Sequence, residues 1–321
     1  MKLATLPNGT PDGRLHIVSR DHARCTPAGA ALTLQAALDE WGKLEALLAA
    51  EYTALNAGGG RPFDPAGAMA PLPRAWQWLD GSAYDSHGAL MQRVFNLPPI
   101  DTGGRPLMYQ GVSDRFYGPC DDVRLPSEED GIDFEGEFGI ITDAVPMGAR
   151  PAQALGHIRL IVQINDWSLR KLAPIEMKTG FGWIQAKPAC SMAPVAVTPD
   201  ELGQCWRDAR VDLPLCVAWN GALFGAASGY AMSAGFDELV AHAAYSRDLV
   251  AGTVIGSGTV SNDNYREVGS SCIAERRAIE MIDLGQPETG FMRFGDRVRM
   301  EARLPDGTPL FGATDQKVVK A

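Results

Sequence analysis

An alternation of acidic and apolar residues marks the segment DFEGEF. Its acids Asp133, Glu135 and Glu137 lie two positions apart, which is the period of a β-strand. One strand face is then acidic and the other apolar, and ionised carboxylates on one face repel each other unless a proton or a cation lies between them. The pattern therefore indicates a hard divalent cation, although a solvated strand face is the better interpretation of D-x-E-x-E taken alone.

A second acid follows a strongly apolar run. Residues 160–164, LIVQI, are typical of a buried central strand, and Asn165 and Asp166 come directly after it. An acid at the end of a buried strand needs a partner, which favours a cation site over a solvated face. Carboxylate oxygens suit Mg²⁺ or Ca²⁺, and no histidine or cysteine lies near enough in sequence to indicate zinc.

Three other residues could contribute chemistry near these acids. His87 follows Asp80 by seven residues, and a lone histidine is more often packed or on the surface than catalytic. Lys187 and Arg170 would each be interpreted as a surface ion-pair partner if it stood alone. Their placement after the buried strand and beside Asp166 favours a role in the site.

The elements that position these residues begin with a small N-terminal unit. Residues 2–6 and 14–20 predict two strands joined by a turn, and residues from Thr33 to about Asn56 have helical spacing of apolar side chains. The loop 58–73 is rich in Gly and Pro and resembles a linker. We therefore expect an N-terminal domain over residues 1–75 and a catalytic domain over residues 76–321.

The sequence pattern of residues 76–321 predicts mainly strands. Asn220-Gly221 indicates a hairpin, a helix is expected over residues 236–250, and the remaining apolar runs are separated by Gly-Asp and Asp-Gly turns. The turn in GTVIGSGTV lacks the Lys of a Walker loop, so it does not indicate a phosphate site. The predicted fold class is α+β, mainly β.

Composition narrows the classes of partner. The 321 residues include 39 acidic and 29 basic side chains, which gives a net charge of −10 and disfavours nucleic acid or an anionic membrane. Six scattered cysteines without C-x-x-C read as reduced thiols. No apolar leader or membrane span is visible, so we expect a cytoplasmic protein.

Together, these separated motifs resemble the fumarylacetoacetate hydrolase (fumarylacetoacetase) family, in its bacterial form. The resemblance covers most of residues 76–319 and rests on D-x-E-x-E followed by NDWS, the Lys of QAKP, the SGT turn at 257–259, and YQGVSDRFYGP. It implies a small N-terminal domain and a C-terminal mixed β-sandwich roll, in a homodimer that binds a divalent metal.

The resemblance also implies roles for individual residues. The metal, Mg²⁺ or Ca²⁺ with Mn²⁺ as a further option, would be held by four carboxylates: Asp80, Glu135, Glu137 and Asp166. Asp133 would be a neighbour of the ligands.

Catalysis and substrate binding would fall to six further residues. His87 would be the base that activates water, Glu275 the acid that polarises it, and Lys187 and Arg170 the cations facing the developing oxyanion. Tyr109 and Thr259 resemble substrate-contacting positions.

The implied reaction is hydrolysis of a carbon–carbon bond in fumarylacetoacetate or a related 2,4-diketo acid, in tyrosine or aromatic catabolism. Alternatives on the same scaffold are acylpyruvate hydrolase, 2-oxo acid decarboxylase, and hydratase or isomerase. A catalytically silent metal-binding protein would have lost the base or the cations, and neither loss is seen. The segment KLAPIEMKTGFG lacks the Gln and Tyr with which the animal enzymes hold substrate, and Ser82 stands where they have Tyr, so the substrate stays open.

Overall fold

Strands dominate the structure, a computed structural model that describes residues 1–96, 98 and 101–321. In chain order the strands are β1 (Lys2–Leu6), β2 (Arg14–Val18), β3 (Arg24–Pro27), β4 (Arg61–Pro62), β5 (Gln77–Gly81), β6 (Met108–Gly111), β7 (Val123–Leu125), β8 (Ile132–Asp133), β9 (Gly136–Thr142), β10 (Ile158–Asn165), β11 (Ser168–Leu169), β12 (Ser191–Met192), β13 (Ala196–Val197), β14 (Trp206–Arg207), β15 (Arg210–Val211), β16 (Pro214–Trp219), β17 (Ala222–Ser228), β18 (Thr253–Gly256), β19 (Arg297–Arg303) and β20 (Pro309–Lys320). The helices are α1 (Leu34–Asp39), α2 (Trp41–Ala57), α3 (Asp85–Phe95), α4 (Pro151–Ala154), α5 (Ala173–Met177), α6 (Phe236–Ala243), α7 (Tyr265–Val268) and α8 (Ile273–Leu284).

Two sheets carry most of these strands. The larger has the order β4-β3-β2-β1-β13-β10-β9-β18-β5-β6, with β12 paired to β10, and the smaller has the order β17-β16-β19-β20-β7. Among the described strands, pairing is antiparallel except between β5 and β18 and between β7 and β20. The predicted α+β, mainly β class is therefore confirmed, with mixed sheets.

The two sheets pack face to face over a shared core. Phe138 on β9 contacts Phe311 on β20, with ring centroids 5.9 Å apart. Gln163 on β10 is fully buried; its amide donates to the Met300 carbonyl at 3.0 Å and its oxygen accepts from the Ala302 N–H at 3.0 Å. This glutamine satisfies its polar atoms by tying β10 to β19, as a buried amide must.

Helices α1 and α2 cover the other face of the larger sheet. The Thr33 side chain caps α1 by accepting from the Ala36 N–H at 3.1 Å, as its position predicts. The single helix expected from Thr33 is broken at Glu40, whose backbone (φ −123°, ψ 26°) is not helical. Leu38 and Trp41 on either side of the break are both buried, so the bend keeps apolar side chains on the sheet.

Strand pairing joins the N-terminal hairpin to the rest of the chain. β1 pairs with β2 and also with β13, where Lys2 lies opposite Val197. The expected division into two domains between residues 75 and 76 stays a prediction.

Helix α6, expected to reach residue 250, ends at Ala243 because Leu249 forms a bridge with Val145 instead of continuing the helix. No helix in the described part of the chain is long and apolar enough to cross a membrane.

Candidate active site

Three strands of the larger sheet bring carboxylates together. Asp80 lies near the end of β5, opposite Gly256 of β18, while Glu137 lies on β9 and Asp166 follows β10. All three acids are buried, and one oxygen from each lies within 4.8 Å of the others. We call Asp80, Glu137 and Asp166 the carboxylate cluster.

Glycines at the end of β18 and in the turn after it make room for the cluster. A Cβ on Gly256 would lie 2.4 Å from Asp80 Oδ1 and 2.9 Å from Glu137 Oε2, closer than real contacts allow. Gly258 has φ +80°, a conformation that favours glycine, and its N–H donates to Asp80 Oδ1 at 3.1 Å. The SGT turn therefore orients a carboxylate.

The cluster fits a hard divalent cation. Both side-chain oxygens of Glu137 are buried and have no hydrogen-bond partner among the described residues. Burial, followed by the charge of Asp166, raises the pKa of Asp80, and burial followed by the charge of Asp80 raises the pKa of Glu137. A bound cation would relieve both the desolvation and the repulsion, and the oxygen-only donors suit Mg²⁺, Ca²⁺ or Mn²⁺.

Glu135, expected as a fourth ligand, lies outside the cluster. It falls in the gap between β8 and β9, so the alternation that places Glu137 does not extend to it. Its Oε2 accepts from Lys187 Nζ at 2.8 Å, and its Oε1 lies 2.5 Å from Arg170 Nη2. Burial alone would raise the pKa of Glu135, but Arg170 and Lys187 outweigh burial and lower it. Glu135 is therefore the ionised partner of two cations, and ligation by it stays a prediction.

Lys187 connects Glu135 to the cluster. Its Nζ also donates to Asp166 Oδ2 at 2.6 Å and lies 5.4 Å from the centre of the Tyr109 ring. Burial would lower the pKa of Lys187, but Asp166 and Glu135 raise it, so the amine is charged. Tyr109, expected to contact substrate, donates its hydroxyl proton to Asp166 Oδ2 at 2.6 Å. Lys187 and Tyr109 thus both hold the carboxylate of Asp166.

Two residues that the sequence did not single out complete the surroundings of Asp166. Cys190 donates from Sγ to Asp166 Oδ1 at 3.0 Å. Trp183 packs edge-on against Tyr109, with centroids 4.7 Å apart. Both flank Lys187 in the segment WIQAKPAC, and this closeness in sequence was the available signal.

Asp133 joins the cations to helix α8. Its carboxylate accepts from Arg170 Nε at 2.7 Å and from the backbone N–H groups of Ile273 at 2.7 Å and Ala274 at 2.9 Å. Free N–H groups and the helix dipole make the first turn of a helix favourable for a carboxylate. Asp133 therefore fixes the start of the helix that carries Glu275, and its place next to the metal ligands stays a prediction.

His87 and Glu275 meet between two packed helices. The ring Nδ1 of His87, on α3, lies 2.8 Å from Glu275 Oε2, on α8, and Leu90 and Ala278 pack in the same small core. Glu275 is fully buried, and its Oε1 has no partner in the described structure. His87 is 18% exposed, and Glu135 forms an isolated bridge with Cys272, three residues before Glu275, so the pair lies close to Glu135.

Thr259, the other expected substrate contact, is buried in the turn after β18. It directly follows Gly258, whose N–H donates to Asp80. Thr259 therefore lies next to the residue that holds Asp80, and its contact with a substrate stays a prediction.

Two family models match the chain. The model described as "Fumarylacetoacetase N-terminal domain 2" matches residues 1–74, and the model described as "Fumarylacetoacetate (FAA) hydrolase C-terminal" matches residues 77–319. The two matches together account for nearly the whole chain.

Curated proteins match part of the chain. The 2,4-didehydro-3-deoxy-L-rhamnonate hydrolase of Sphingomonas sp. (strain SKA58) is 26% identical over 164 residues, which are 50% of this chain and 54% of that protein. The human mitochondrial oxaloacetate tautomerase FAHD2B is 22% identical over 157 residues, 48% of each protein. The chain thus spans about half the length of the curated relatives it matches.

Solved structures share the fold. The maleylpyruvate hydrolase of Sphingobium sp. SYK-6, in complex with manganese(II) ion and pyruvate, superimposes with a TM-score of 0.68 and 18% identity over 100% of each chain. The 5-carboxymethyl-2-hydroxymuconate delta-isomerase of Mycobacterium smegmatis has a TM-score of 0.63 and 17% identity, covering 100% of this chain and 99% of that chain. At these identities the likeness shows a common fold.

Proposed function

The chain belongs to the fumarylacetoacetate hydrolase family, and from this premise we propose that it is a divalent-metal-dependent hydrolase of a carbon–carbon bond in fumarylacetoacetate or a related 2,4-diketo acid. The observation that carries the proposal is the His87–Glu275 pair, 2.8 Å apart, which Glu135 and Lys187 connect to the buried carboxylate cluster. The proposal needs a base for water, a place for a cation and fixed positive charge, and each has a candidate in this region.

Asp80, Glu137 and Asp166 are the residues that would hold the cation. When bound, a divalent ion there would polarise the oxygens of a diketo acid as a Lewis acid. Mg²⁺ and Ca²⁺ suit the oxygen donors, and Mn²⁺ is supported by the manganese in the related maleylpyruvate hydrolase structure. Tyr109, Lys187 and the Cys190 thiol hold Asp166 in place, and such supporting contacts typically change metal affinity by about 10- to 100-fold.

His87 is placed to take a proton from water. The Nδ1–H of His87 donates a hydrogen bond to the Glu275 carboxylate. This leaves Nε2 of the His87 ring as the basic nitrogen. The water oxygen then adds to a carbonyl carbon while its proton moves to Nε2, and Glu275 stabilises the imidazolium. General base catalysis of this kind is typically worth about 10²- to 10⁴-fold in rate.

Cleavage of the carbon–carbon bond returns the proton from His87 to the substrate. The electron pair of the broken carbon–carbon bond stays on the leaving carbon, and the imidazolium protonates that carbon, so one water is consumed and His87 is again neutral. A diketo acid yields one new carboxylic acid and one shorter 2-oxo or 3-oxo acid. The sequence of steps uses His87 first as base and then as acid.

Lys187 and Arg170 supply fixed positive charge. Two of the three ammonium protons of Lys187 go to Glu135 and Asp166, so one donor remains for an oxyanion. Removing one such donor typically costs about 10²- to 10³-fold in rate. Arg170 is held by Asp133 and Glu135, and we propose that it chiefly keeps Glu135 ionised and in position.

The direct test follows the absorbance of fumarylacetoacetate with purified protein and Mg²⁺, Ca²⁺ or Mn²⁺, and identifies the products. Turnover that disappears in His87→Ala supports the proposal. Absence of turnover in the native protein, or undiminished turnover in His87→Ala, would overturn it. A panel of acylpyruvates run in parallel identifies the preferred diketo acid.

A second candidate is tautomerisation or isomerisation of a 2-oxo acid. The same His87–Glu275 pair can move a proton next to a carbonyl without adding water, and the matched half of the chain resembles a tautomerase. Exchange of substrate C–H for deuterium in D₂O, without release of a second product, would favour this candidate. Decarboxylase and hydratase activities would be recognised in the same panel by CO₂ release or net addition of water.

We propose a homodimer that acts on a small-molecule diketo acid in the cytoplasm, within aromatic or tyrosine catabolism. Supporting features are the family membership and the net charge of −10, which is unsuited to nucleic acid. Sedimentation equilibrium tests the dimer, and a monomer at assay concentrations would refute it.

A further inference from the structure

A cavity separate from the carboxylate cluster lies beside β6, the strand at one edge of the larger sheet. It has a volume of about 380 Å³ and is lined by Leu79 of β5, residues 108–110 of β6, Arg105, and residues 241–243 and 245–247 around the end of α6. Leu79 lies opposite Gln110 in the β5–β6 register, one step from the Asp80–Tyr109 pair. Because side chains alternate along a strand, Leu79 and Gln110 face away from Asp80 and the carboxylate cluster.

The lining of this cavity is basic. It contains Arg105, His242 and Arg247, and the described lining includes no aspartate or glutamate. Arg105 and Arg247 are exposed, and neither forms an ion pair with a described carboxylate; Arg247 Nη1 donates to the Gln110 side-chain oxygen at 3.4 Å. In a chain with a net charge of −10, two guanidinium groups without a carboxylate in the lining create a local positive potential.

The remaining polar groups of the lining add hydrogen-bonding capacity. Burial, followed by the charge of Arg105, lowers the pKa of His242. Tyr245 and Ser246 add hydroxyl groups to the lining, and Gln110 adds an amide. These groups are hydrogen-bond donors, and the two guanidinium groups can each bind an oxyanion with two parallel hydrogen bonds.

We propose that this cavity, which we call the basic cavity, binds a small metabolite through a carboxylate or phosphate group, held by Arg105 and Arg247. Its volume is within the range of small-molecule sites and suits a ligand with one or two oxyanion groups. The proposal does not depend on the function proposed above, because it concerns a different face of the sheet. The two regions share strand β6, where Tyr109 lines the basic cavity and also donates to Asp166.

The test uses the full chain and two probes, inorganic phosphate and succinate, titrated by calorimetry in the presence of Mg²⁺. We expect at least one probe to bind, and the Arg105→Gln/Arg247→Gln double variant to weaken that binding by at least about 10-fold, as expected for loss of charge-assisted hydrogen bonds. The tighter probe identifies the source of the oxyanion. Arg124→Gln is the matched control, because Arg124 is exposed on β7 and outside the basic cavity.

Two results would overturn the proposal. One is the absence of binding by either probe to the native protein. The other is equal affinity in the native protein and the double variant, which would assign the bound anion to the metal region. An unchanged thermal midpoint shows that the double variant is folded. The conservative double variant Arg105→Lys/Arg247→Lys keeps both positive charges, so it should retain part of the affinity that the glutamine variant loses.

Discussion

The antiparallel pair β9 and β10 has a histidine–carboxylate contact at each end. At the end where β9 begins, His87 Nδ1 lies 2.8 Å from Glu275 Oε2. At the other end, where β9 has finished and β10 begins, His157 Nδ1 lies 2.7 Å from Asp143 Oδ1. The eight residues of β10 separate the two ends by roughly 25 Å. The two contacts are alike in length and differ in everything around them.

The far end is neutralised and partly open. Asp143 also accepts from Arg159 Nε at 2.7 Å, so the carboxylate shares its charge with two basic partners. Its side chain is 18% exposed and that of His157 is 27% exposed. A surface network of this kind contributes about 0 to 1 kcal/mol to stability.

The site end leaves several buried carboxylate oxygens without a partner, although cations lie close by. Glu275 is fully buried and one of its oxygens has no partner in the described structure, while both oxygens of nearby Glu137 also lack one. Unsatisfied buried polar atoms cost free energy, and they persist where a ligand or a reaction uses them. A histidine–carboxylate contact therefore becomes a candidate for catalysis through its surroundings, since the contact itself occurs at both ends.

Removing charge from the carboxylate cluster should have the largest effect. We expect Glu137→Gln to abolish metal-dependent activity and the thermal stabilisation by Mn²⁺, because the cation loses a carboxylate. Without metal, the same variant should be more stable than the native protein, since it removes a buried carboxylate that Asp80 repels. Thermal unfolding with and without Mn²⁺ measures both effects.

Asp143→Asn is the control for that experiment. It removes a carboxylate from the far end and should leave the response to Mn²⁺ unchanged. A Glu137→Gln protein that is still stabilised by Mn²⁺ to the native extent would contradict the assignment of the cluster.

Replacing each of the two histidines in turn shows which end of the strand pair catalysis requires. We expect His87→Ala to lower kcat/KM by about 10²- to 10⁴-fold, because the base for water is lost. His157→Ala should stay within about twofold of the native value. Steady-state kinetics on the preferred diketo acid measures kcat/KM for both variants. Equal losses of kcat/KM in His87→Ala and His157→Ala would contradict a catalytic difference between the two ends.

A methyl group tests how closely each end is packed. Gly256→Ala places a Cβ 2.4 Å from Asp80 Oδ1 and 2.3 Å from the Trp78 ring, and overpacking of this kind costs about 1 to 3 kcal/mol. Gly156, beside His157, has nothing within 4 Å of its added Cβ, so Gly156→Ala should change stability by about 0.5 kcal/mol at most. Urea unfolding compares the two variants, and similar free energies of unfolding would contradict the tight packing around Gly256 at the end of β18.

The far-end network should give the smallest effect. We expect Asp143→Asn to lower the free energy of unfolding by about 1 kcal/mol at most, because the pair is partly exposed. The loss should shrink in high salt, which screens exposed charges. Urea unfolding at two ionic strengths measures it, and a loss of several kcal/mol would show that the far end is also critical to the fold.

The metal side of the site could be predicted from local pattern. Strand alternation identifies Glu137, and the buried run before Asp166 identifies an acid that needs a partner. The same alternation does not describe Glu135, which lies between the end of β8 at Asp133 and the start of β9 at Gly136 and contacts Lys187 and Arg170. A break of two residues in a strand is not visible in a pattern of period two.

Contacts between distant segments could not be derived from local pattern. His87 and Glu275 are 188 positions apart and meet only because α3 packs on α8, so the family resemblance was needed to pair them. The hydrogen bond from Tyr109 to Asp166 depends on the pairing of β6 with β5, and the basic cavity depends on the end of α6. Such juxtapositions come from tertiary packing, which residue spacing does not encode.

Isotope labelling tests most directly whether the site end activates water for carbon–carbon cleavage. Turnover of fumarylacetoacetate in H₂¹⁸O, with Mg²⁺ or Mn²⁺, should place one ¹⁸O in the carboxylate formed at the cleaved bond, as mass spectrometry of the products would show. The His87→Ala protein should form no labelled product on the same timescale, while His157→Ala should match the native protein. Native protein that exchanges substrate protons but releases no ¹⁸O-labelled acid would contradict water activation at this end.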